Sequence, residues 1–270
     1  MPTPFKGLGK TERFALSSLA ALEQPVVTAN DVVRVAGLGR PGANQLLSRL
    51  ARKGWLIRLR RGAYSLVALS SRSGGTSSED PMALAMTLFA PCYISGWTTA
   101  QHWGLTEQIY NSIVVCSAAP QRAAEQVAGG IMFRVRRVPA RAIFGTTRIW
   151  SGATAVEVAN VHRTLIDVLD TPELGGGGRQ MLDIAQAYWQ RGDAAPDTLL
   201  EYAERLGRGV IFKRLGLTAE LFGDVPSAWF TRCRNGLTAG VSSLDPSAPP
   251  RGRIISRWRL RVNLPIPGLE

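Results

Sequence analysis

Residues 40–64 constrain the fold more than any other stretch of this 270-residue chain; their sequence is RPGANQLLSRLARKGWLIRLRRGAY. Leu46 and Leu50 fall on one side of a helix, with polar and basic residues on the remaining face. Gly54 follows at the predicted end of the helix, where a residue that can adopt a positive φ is favoured. Every second residue is then apolar up to Leu59, the period of a strand, and Arg61-Gly62 predicts a turn. The stretch therefore predicts a helix that leads directly into a basic β-hairpin.

Two further helices are predicted before this stretch. Residues 11–22 carry a broad apolar face, and a second helix begins at Thr28, which has an acid three residues on, close to a capping box. That helix ends at Gly37, and Pro41 suits the first turn of the third helix. Three short helices and a hairpin in this order predict a winged helix-turn-helix domain over residues 1–70.

The charge of the chain is unevenly distributed. The net charge is +12, and residues 1–70 contain 11 Lys or Arg and 3 Asp or Glu, a net +8. A nucleic-acid-binding module at the N-terminus explains this asymmetry better than a generally basic protein does. The alternative is a small three-helix domain whose basic face is only solvated.

The third helix is expected to enter the major groove of double-stranded DNA, because Asn and Gln suit adenine and Arg suits guanine. The residues predicted nearest the base edges are Asn44, Gln45, Ser48 and Arg49. Those predicted on phosphates are Arg40, Arg52, Lys53, Arg58, Arg60 and Arg61. Tyr64 is expected either to pack at the base of the wing or to reach a sugar-phosphate. We also expect repeated operator sites, to which a monomer or weak dimer binds cooperatively.

The remainder of the chain predicts a linker and a second domain. Residues 71–80 are small and polar and predict the linker, and residues 81–270 predict a mixed domain of strands and helices. Helices are expected at 81–90, 160–170, 179–191, 196–206 and 209–222, and strands at 92–95, 112–116, 131–138, 146–150 and 254–264. Gly175–Gly178 is expected to be a flexible loop. The fold class is therefore α+β.

No catalytic constellation is evident in the second domain, so we expect no enzyme, metal or cofactor. The motifs of zinc proteases, serine hydrolases and phosphate loops are absent from the sequence. His102 and His162 are single and are expected to pack or cap. Asp167 and Asp170 share a face of an apolar helix and are expected to anchor it by hydrogen bonds. The tryptophans are expected in the core, although Trp258, between two arginines, has the local setting of a base-stacking residue.

Two basic patches of the second domain are candidates for an acidic partner or a phosphate backbone. Arg134 and Arg136 lie on one face of a predicted strand, and Lys213-Arg214 lies in a predicted helix. A solvated surface is an equally good interpretation of either patch.

The sequence also indicates the compartment. It has no N-terminal apolar signal core and no stretch of 18 uninterrupted apolar residues. Its cysteines, Cys92, Cys116 and Cys233, are far apart and lack metal-binding spacing. We therefore expect a cytoplasmic protein that does not bind a membrane.

Several motifs of the second domain resemble those of AbiEi-type antitoxins. Tyr93-Ile94-Ser95 precedes AQHWGLTEQ at 100–108, similar to that family's Tyr-Ile-Ser segment and its Gly-Leu-Thr-Glu. VANVHRTLID at 158–167 resembles a V-A-x-x-E-R-T-L-x-D helix start, with His162 where an acid is usual. The sequences at 210–216, 243–246 and 262–263 are similar to the family's later motifs. With the winged helix, the resemblance extends over nearly the whole chain.

The resemblance implies an antitoxin of a type IV toxin–antitoxin system. Its winged helix would repress its own operon at promoter repeats. Its C-terminal domain would counteract a nucleotidyltransferase-like toxin, without necessarily forming a stable complex with it. We expect Arg134, Arg136, Lys213 and Arg214 to form the antitoxin face. The alternatives are a stand-alone transcriptional regulator whose second domain senses a ligand or dimerises, and a nucleic-acid-modifying enzyme targeted by the winged helix.

Overall fold

A computed structural model describes most of the chain. The described residues are 7–22, 24, 26–66, 80–121, 123–128, 130–151 and 154–266, with backbone alone for Arg60 and Ser151. Apart from Asp80, the predicted linker at 71–80 lies outside them. None of the described helices is long and apolar enough to cross a membrane.

The N-terminal unit is a winged helix-turn-helix, as the sequence predicts. Its elements are α1 (Lys10–Ala20), β1 (Val27–Thr28), α2 (Ala29–Ala36), α3 (Arg40–Arg52), β2 (Leu56–Arg60) and β3 (Ala63–Leu66). The strands form an antiparallel sheet in the order β1-β3-β2. The Thr28 amide donates to the Asp31 carboxylate at 2.9 Å, and Gly37 ends α2 with a φ of 64°. The predicted cap and helix end are therefore confirmed.

Both faces of this small sheet are covered by apolar side chains. Leu56 and Tyr64 belong to a hydrophobic cluster with the three helices. Leu59 and Ala63 belong to a second cluster, which includes Phe133 of the C-terminal unit. Because side chains alternate along a strand, one strand contributes to both cores. The sheet therefore joins the two units of the protein.

The C-terminal unit is built on a mixed six-stranded sheet in the order β6-β7-β5-β4-β9-β8. Its strands are β4 (Cys92–Ile94), β5 (Ser112–Ser117), β6 (Glu125–Ala128), β7 (Ile131–Arg137), β8 (Thr146–Ser151) and β9 (Thr154–Ala159). The pairs β5–β7 and β4–β9 are parallel and the others antiparallel. The α+β class is confirmed; β6 and β9 were not predicted.

Helices cover both faces of the six-stranded sheet. They are α4 (Pro81–Phe89), α5 (Gly96–His102), α6 (Val161–Asp170), α7 (Gly178–Trp189), α8 (Pro196–Leu206), α9 (Gly209–Phe222) and α10 (Ser227–Asn235). Helix α4 packs with Ile94 and Val115 on one face, and Tyr93 and Val114 point to the other, where α5 and α6 lie. Helices α6–α10 enclose a separate apolar core. Five predicted helices of this unit are thus confirmed, whereas α5 and α10 were not predicted.

The predicted single strand at 254–264 is wrong. The chain forms β11 (Ile254–Ile255), a short 3-10 helix, and β12 (Leu260–Arg261), which pair antiparallel with each other. The reversal occurs at Arg259, whose φ is 49°. β12 also pairs with β10 (Ser242–Ser243). The alternating sequence therefore folds back on itself rather than extending.

The predicted flexible loop at Gly175–Gly178 is also wrong, because these residues form a packed turn. Gly176 and Gly177 have φ values of 99° and 107°, which favour glycine. A Cβ on Gly175 would lie 2.6 Å from Val168, and one on Gly178 would lie 2.6 Å from Asp245. The glycines are needed for the close approach of α6 and the tail.

A buried polar network attaches α6 to the sheet. Arg163 Nε donates to Asp167 Oδ1 at 2.9 Å, and its Nη2 donates to the Tyr93 hydroxyl at 2.7 Å. Tyr93 and Ser95 both donate to Asp167 Oδ2. Arg163 and Asp167 are 1% and 2% exposed. The prediction that Asp167 anchors its helix is confirmed. The two sequence motifs at 93–95 and 158–167 meet in this network.

Replacing the buried carboxylate should be costly. Asp167→Asn is expected to lower the free energy of unfolding by about 3–5 kcal/mol, because it leaves the Arg163 charge buried without compensation. Urea unfolding followed by circular dichroism measures the loss. The matched control is Asp183→Asn, whose partner Arg179 has the same i,i+4 spacing in an exposed pair and which should cost less than about 1 kcal/mol. Equal losses in both variants would contradict the assigned role.

Candidate nucleic-acid interface

Helix α3 presents a polar face to solvent. Apolar residues at i, i+3 and i+4 spacing (Ala43, Leu46, Leu47, Leu50) are all buried, so the rest of the helix faces outward. The side chains that line one shallow concavity on that outer face are Asn44, Gln45, Ser48, Arg49 and Arg52. Four of them are the residues predicted to contact bases. The structure therefore brings the predicted base-contacting set together on one exposed surface.

The tip of the wing adds exposed arginines. Arg58 and Arg61 are exposed at the end of the β2–β3 hairpin, whose turn contains Gly62 at a φ of 83°. The register of the two strands shifts between Arg58 and Arg60; the Arg60 side chain lies outside the described residues. Arg40, at the first position of α3, is also exposed. None of these three described arginines has a carboxylate partner among the described residues.

Lys53 is held by an internal ion pair rather than being free for phosphate. Its Nζ donates to Glu12 Oε2 at 2.6 Å and to the Gly7 carbonyl at 3.0 Å. Arg49 Nε lies 3.7 Å from the other oxygen of Glu12, although this side chain is half exposed. Hydrogen bonding from Lys53, assisted by the Gly9 amide, lowers the pKa of Glu12. The predicted phosphate contact of Lys53 would require this pair to break. Sequence reasoning missed Glu12, because its partner is 41 residues away.

Tyr64 adopts the packing role that the sequence left open. Its side chain is buried, and its hydroxyl lies 3.4 Å from Ser48 Oγ beneath the outer face of α3. It can therefore position α3, but it does not reach outward to a sugar-phosphate.

The predicted antitoxin face is wrong for two of its four residues. Lys213 and Arg214 are 1% and 3% exposed. Lys213 donates to the Gly240 carbonyl and Arg214 to the Leu169 carbonyl, so both attach α9 to neighbouring segments. Arg134 is partly exposed and pairs with Glu125 at 3.1 Å. Arg136 pairs with Asp170 in a half-buried position.

The remaining candidates of the second unit have structural roles. His162 Nδ1 lies 2.7 Å from the Tyr188 hydroxyl, and burial lowers the pKa of His162. Trp258 is fully buried, so the expectation that it lies in the core is confirmed, and its two neighbouring arginines do not make it a base-stacking residue. Trp150, on β8, is the exception to the expectation that tryptophans lie in the core, because it is 70% exposed. The cysteines are buried and free.

The fold and this surface define a class of protein: a winged helix-turn-helix unit joined to an α+β unit. Residues 15–67 match the model of a family described as "Transcriptional regulator, AbiEi antitoxin". The resemblance to that family is confirmed over these residues; the motifs noted in the second unit lie outside the matched range. No curated protein matches the chain significantly.

One solved structure shows the same fold over nearly the whole chain. The crystal structure of the RV2827C protein from Mycobacterium tuberculosis has a TM-score of 0.61 and 17% sequence identity, over 96% of this chain and 94% of that one. At this identity the similarity establishes the fold alone. It extends across both units, so their combination in one chain is not peculiar to this protein.

The Glu12–Lys53 pair predicts a pH-dependent stability. Because the pKa of Glu12 is lowered on folding, its contribution is present above the unfolded-state pKa of about 4.3 and is lost as the pH falls through the lower folded-state value. Glu12→Gln should therefore be less stable than the parent at pH 7, and the difference should shrink towards pH 3. Urea unfolding at both pH values measures it. Glu107→Gln, at an exposed acid, should behave like the parent; a gap that widens in acid would contradict the assignment.

Proposed function

We propose that this protein is a sequence-specific DNA-binding regulator that acts in the cytoplasm. The observation that carries the proposal is the outer face of α3, where amides, a hydroxyl and arginines share one surface. In a winged helix-turn-helix such a face enters the major groove and the wing contacts the adjacent backbone. The family match over residues 15–67 supports this assignment.

The residues divide into two kinds of contact. Asn44, Gln45 and Arg49 have the donor and acceptor groups that distinguish base edges. Arg40, Arg58 and Arg61 lie at the ends of this surface and supply charge for phosphates, which fixes position and contributes most of the affinity. Arg60 belongs to the second group by sequence. Arg52, on the outer face near the end of α3, is assigned to a phosphate as well.

We further propose that the regulated DNA is the protein's own promoter and that the protein is the antitoxin of a type IV system. The C-terminal unit would then counteract a nucleotidyltransferase-like toxin encoded in the same operon, without catalysing a reaction and without the need for a stable complex. The resemblance of the motifs at 93–108 and 158–167 supports this part of the proposal. Repeated sites in the promoter would be filled by monomers or weak dimers cooperatively.

A double and a single substitution should separate the affinity for DNA from the specificity for the operator. Arg58→Ala with Arg61→Ala should weaken binding to all DNA and reduce the slope of log K against log salt by about 2, because two phosphate contacts are lost. Gln45→Ala should instead cost about 1–3 kcal/mol on the operator and little on unrelated DNA. Gel shifts on the upstream DNA of the gene, at several salt concentrations, measure both effects.

The control for charge is Arg251→Ala with Arg253→Ala. These two arginines are exposed in the second unit and have no side-chain ion pair among the described residues, so the pair removes the same net charge. It should leave the salt slope unchanged. A parent protein that fails to retard its own upstream DNA at low salt would overturn the DNA-binding proposal.

Regulation and neutralisation should be separable. Gln45→Ala with Arg49→Ala is expected to abolish repression of a promoter reporter, because the base contacts are lost. The same full-length variant should still restore growth when co-expressed with the neighbouring nucleotidyltransferase-like toxin. Reporter activity and colony counts are the two readouts. Rescue that disappears together with repression, at unchanged protein abundance, would contradict a neutralising role for the C-terminal unit.

A further inference from the structure

A cleft of about 340 Å³ in the C-terminal unit has an unusually basic lining. It lies between the end of β7, the 3-10 turn at 140–142, helix α6 and the α8–α9 connection. The arginines in its lining are Arg136, Arg137, Arg141, Arg163, Arg205 and Arg208. The only acids in the lining are Asp167 and Asp170, so the formal charge of the lining is +4.

The two acids are already neutralised by three of these arginines. Asp167 is paired with buried Arg163. Asp170 is paired with Arg136 and, through its other oxygen, with Arg208 at 2.7 Å. Burial opposes the charge on Arg136, but Asp170 nevertheless raises its pKa. These pairs form the charged floor of the cleft, in which each carboxylate faces an arginine, although Asp170 Oδ1 makes only an ion pair with Arg208 and no hydrogen bond among the described residues.

The other three arginines form a rim that has no such compensation. Arg137, Arg141 and Arg205 are exposed, and none of them has a carboxylate partner among the described residues. The Arg205 guanidinium lies over the Phe144 ring at 3.9 Å from its centroid, which orients it without neutralising it. Helix α9 begins at Gly209, directly after the lining residues Gly207 and Arg208. The N-terminus of a helix has a partial positive charge, which adds to the positive potential near the cleft.

Such a lining suits an anion with several oxygens. Arginine binds phosphate through two parallel N–H···O bonds, and three guanidinium groups on separate elements can bind one anion from different sides. A single phosphate monoester has a charge of about −1.5 to −2 at pH 7 and would leave much of the lining uncompensated. A diphosphate has more oxygens and more charge in a similarly compact group.

We propose that this cleft binds the diphosphate group of a small ligand, either inorganic pyrophosphate or a nucleotide. The rim arginines, which have no carboxylate partner among the described residues, would bind the phosphate oxygens, and the Phe144 ring orients Arg205 for this role. The site is distinct from the DNA-binding surface, because all its lining residues belong to the second unit. It does not depend on the function proposed above.

Calorimetric titration of the full-length protein tests the site directly. At constant ionic strength, pyrophosphate and ADP should bind saturably, and adenosine should not. Equal affinities would identify the diphosphate itself as the recognised group, whereas tighter binding of ADP would identify a nucleotide; both support the site. Absence of saturable binding up to about 1 mM, the range of a weak specific site, would overturn it.

Substitutions locate the binding. Arg137→Ala with Arg141→Ala removes two rim arginines that have no side-chain ion pair among the described residues, so the fold should be preserved, which circular dichroism checks. This variant should bind pyrophosphate at least tenfold more weakly than the parent. Arg251→Ala with Arg253→Ala, which removes the same charge elsewhere, should bind like the parent. An equal loss in both variants would indicate general electrostatic attraction and would overturn the proposal.

A second measurement separates this site from nucleic-acid binding. Pyrophosphate should raise the melting temperature of the parent protein, because a ligand of the native state stabilises it by mass action, and should not raise that of the Arg137/Arg141 variant. That variant should still retard operator DNA. If it instead lost DNA binding while pyrophosphate had no effect on the parent, the cleft would serve a nucleic acid and the diphosphate proposal would be wrong.

Discussion

The structure depends on a three-stranded sheet that has a hydrophobic core on each face. Leu56 and Tyr64 pack against the helices of the first unit, while Leu59 and Ala63 pack against the second. Alternate residues of a strand face opposite sides of the sheet, so burying both faces requires apolar residues at odd and at even positions. This hairpin has apolar residues at both. The wing is therefore part of the joint between the two units. Only its tip extends beyond the packed region, and the tip contains the exposed arginines.

For the DNA-binding function proposed above, this arrangement fixes where DNA can lie relative to the second unit. The outer face of α3 and the wing tip belong to one packed body, and the hairpin of that body is attached to the six-stranded sheet through the cluster that contains Phe133. Any change in the packing of the C-terminal unit against Leu59 would act on the wing directly. A regulator of this construction can thus couple its two units through contact rather than through its linker.

The arginines of the chain serve three different physical purposes that the sequence does not separate. Some are exposed without carboxylate partners among the described residues, as are Arg40 on α3 and Arg58 and Arg61 on the wing. Others are buried to hold segments together, such as Arg163 and Arg214, and burial lowers the pKa of Arg214 to about 10. A third group surrounds the cleft beside Asp170. Arg136 and Arg137 are adjacent in one strand, so the sequence shows that they lie close together. Arg205 and Arg208 are about 70 residues away from them, and nothing in the sequence connects the two pairs. Only folding brings these residues to one site.

The sequence by itself determined the helices with strong 3.6-residue periodicity, the cap at Thr28, the end of α2 at Gly37 and the polar face of α3, because each is encoded by local spacing. It did not determine β6 or β9, since short strands acquire their stability from neighbouring strands. The tail at 254–264 alternates like one strand but reverses at Arg259, because pairing within the tail and with β10 outweighs the local pattern. Tertiary structure alone decided that Lys213 and Arg214 are internal, that Lys53 is paired with Glu12, and that the wing has two covered faces. Burial and long-range ion pairing depend on residues distant in sequence, and no local pattern contains that information.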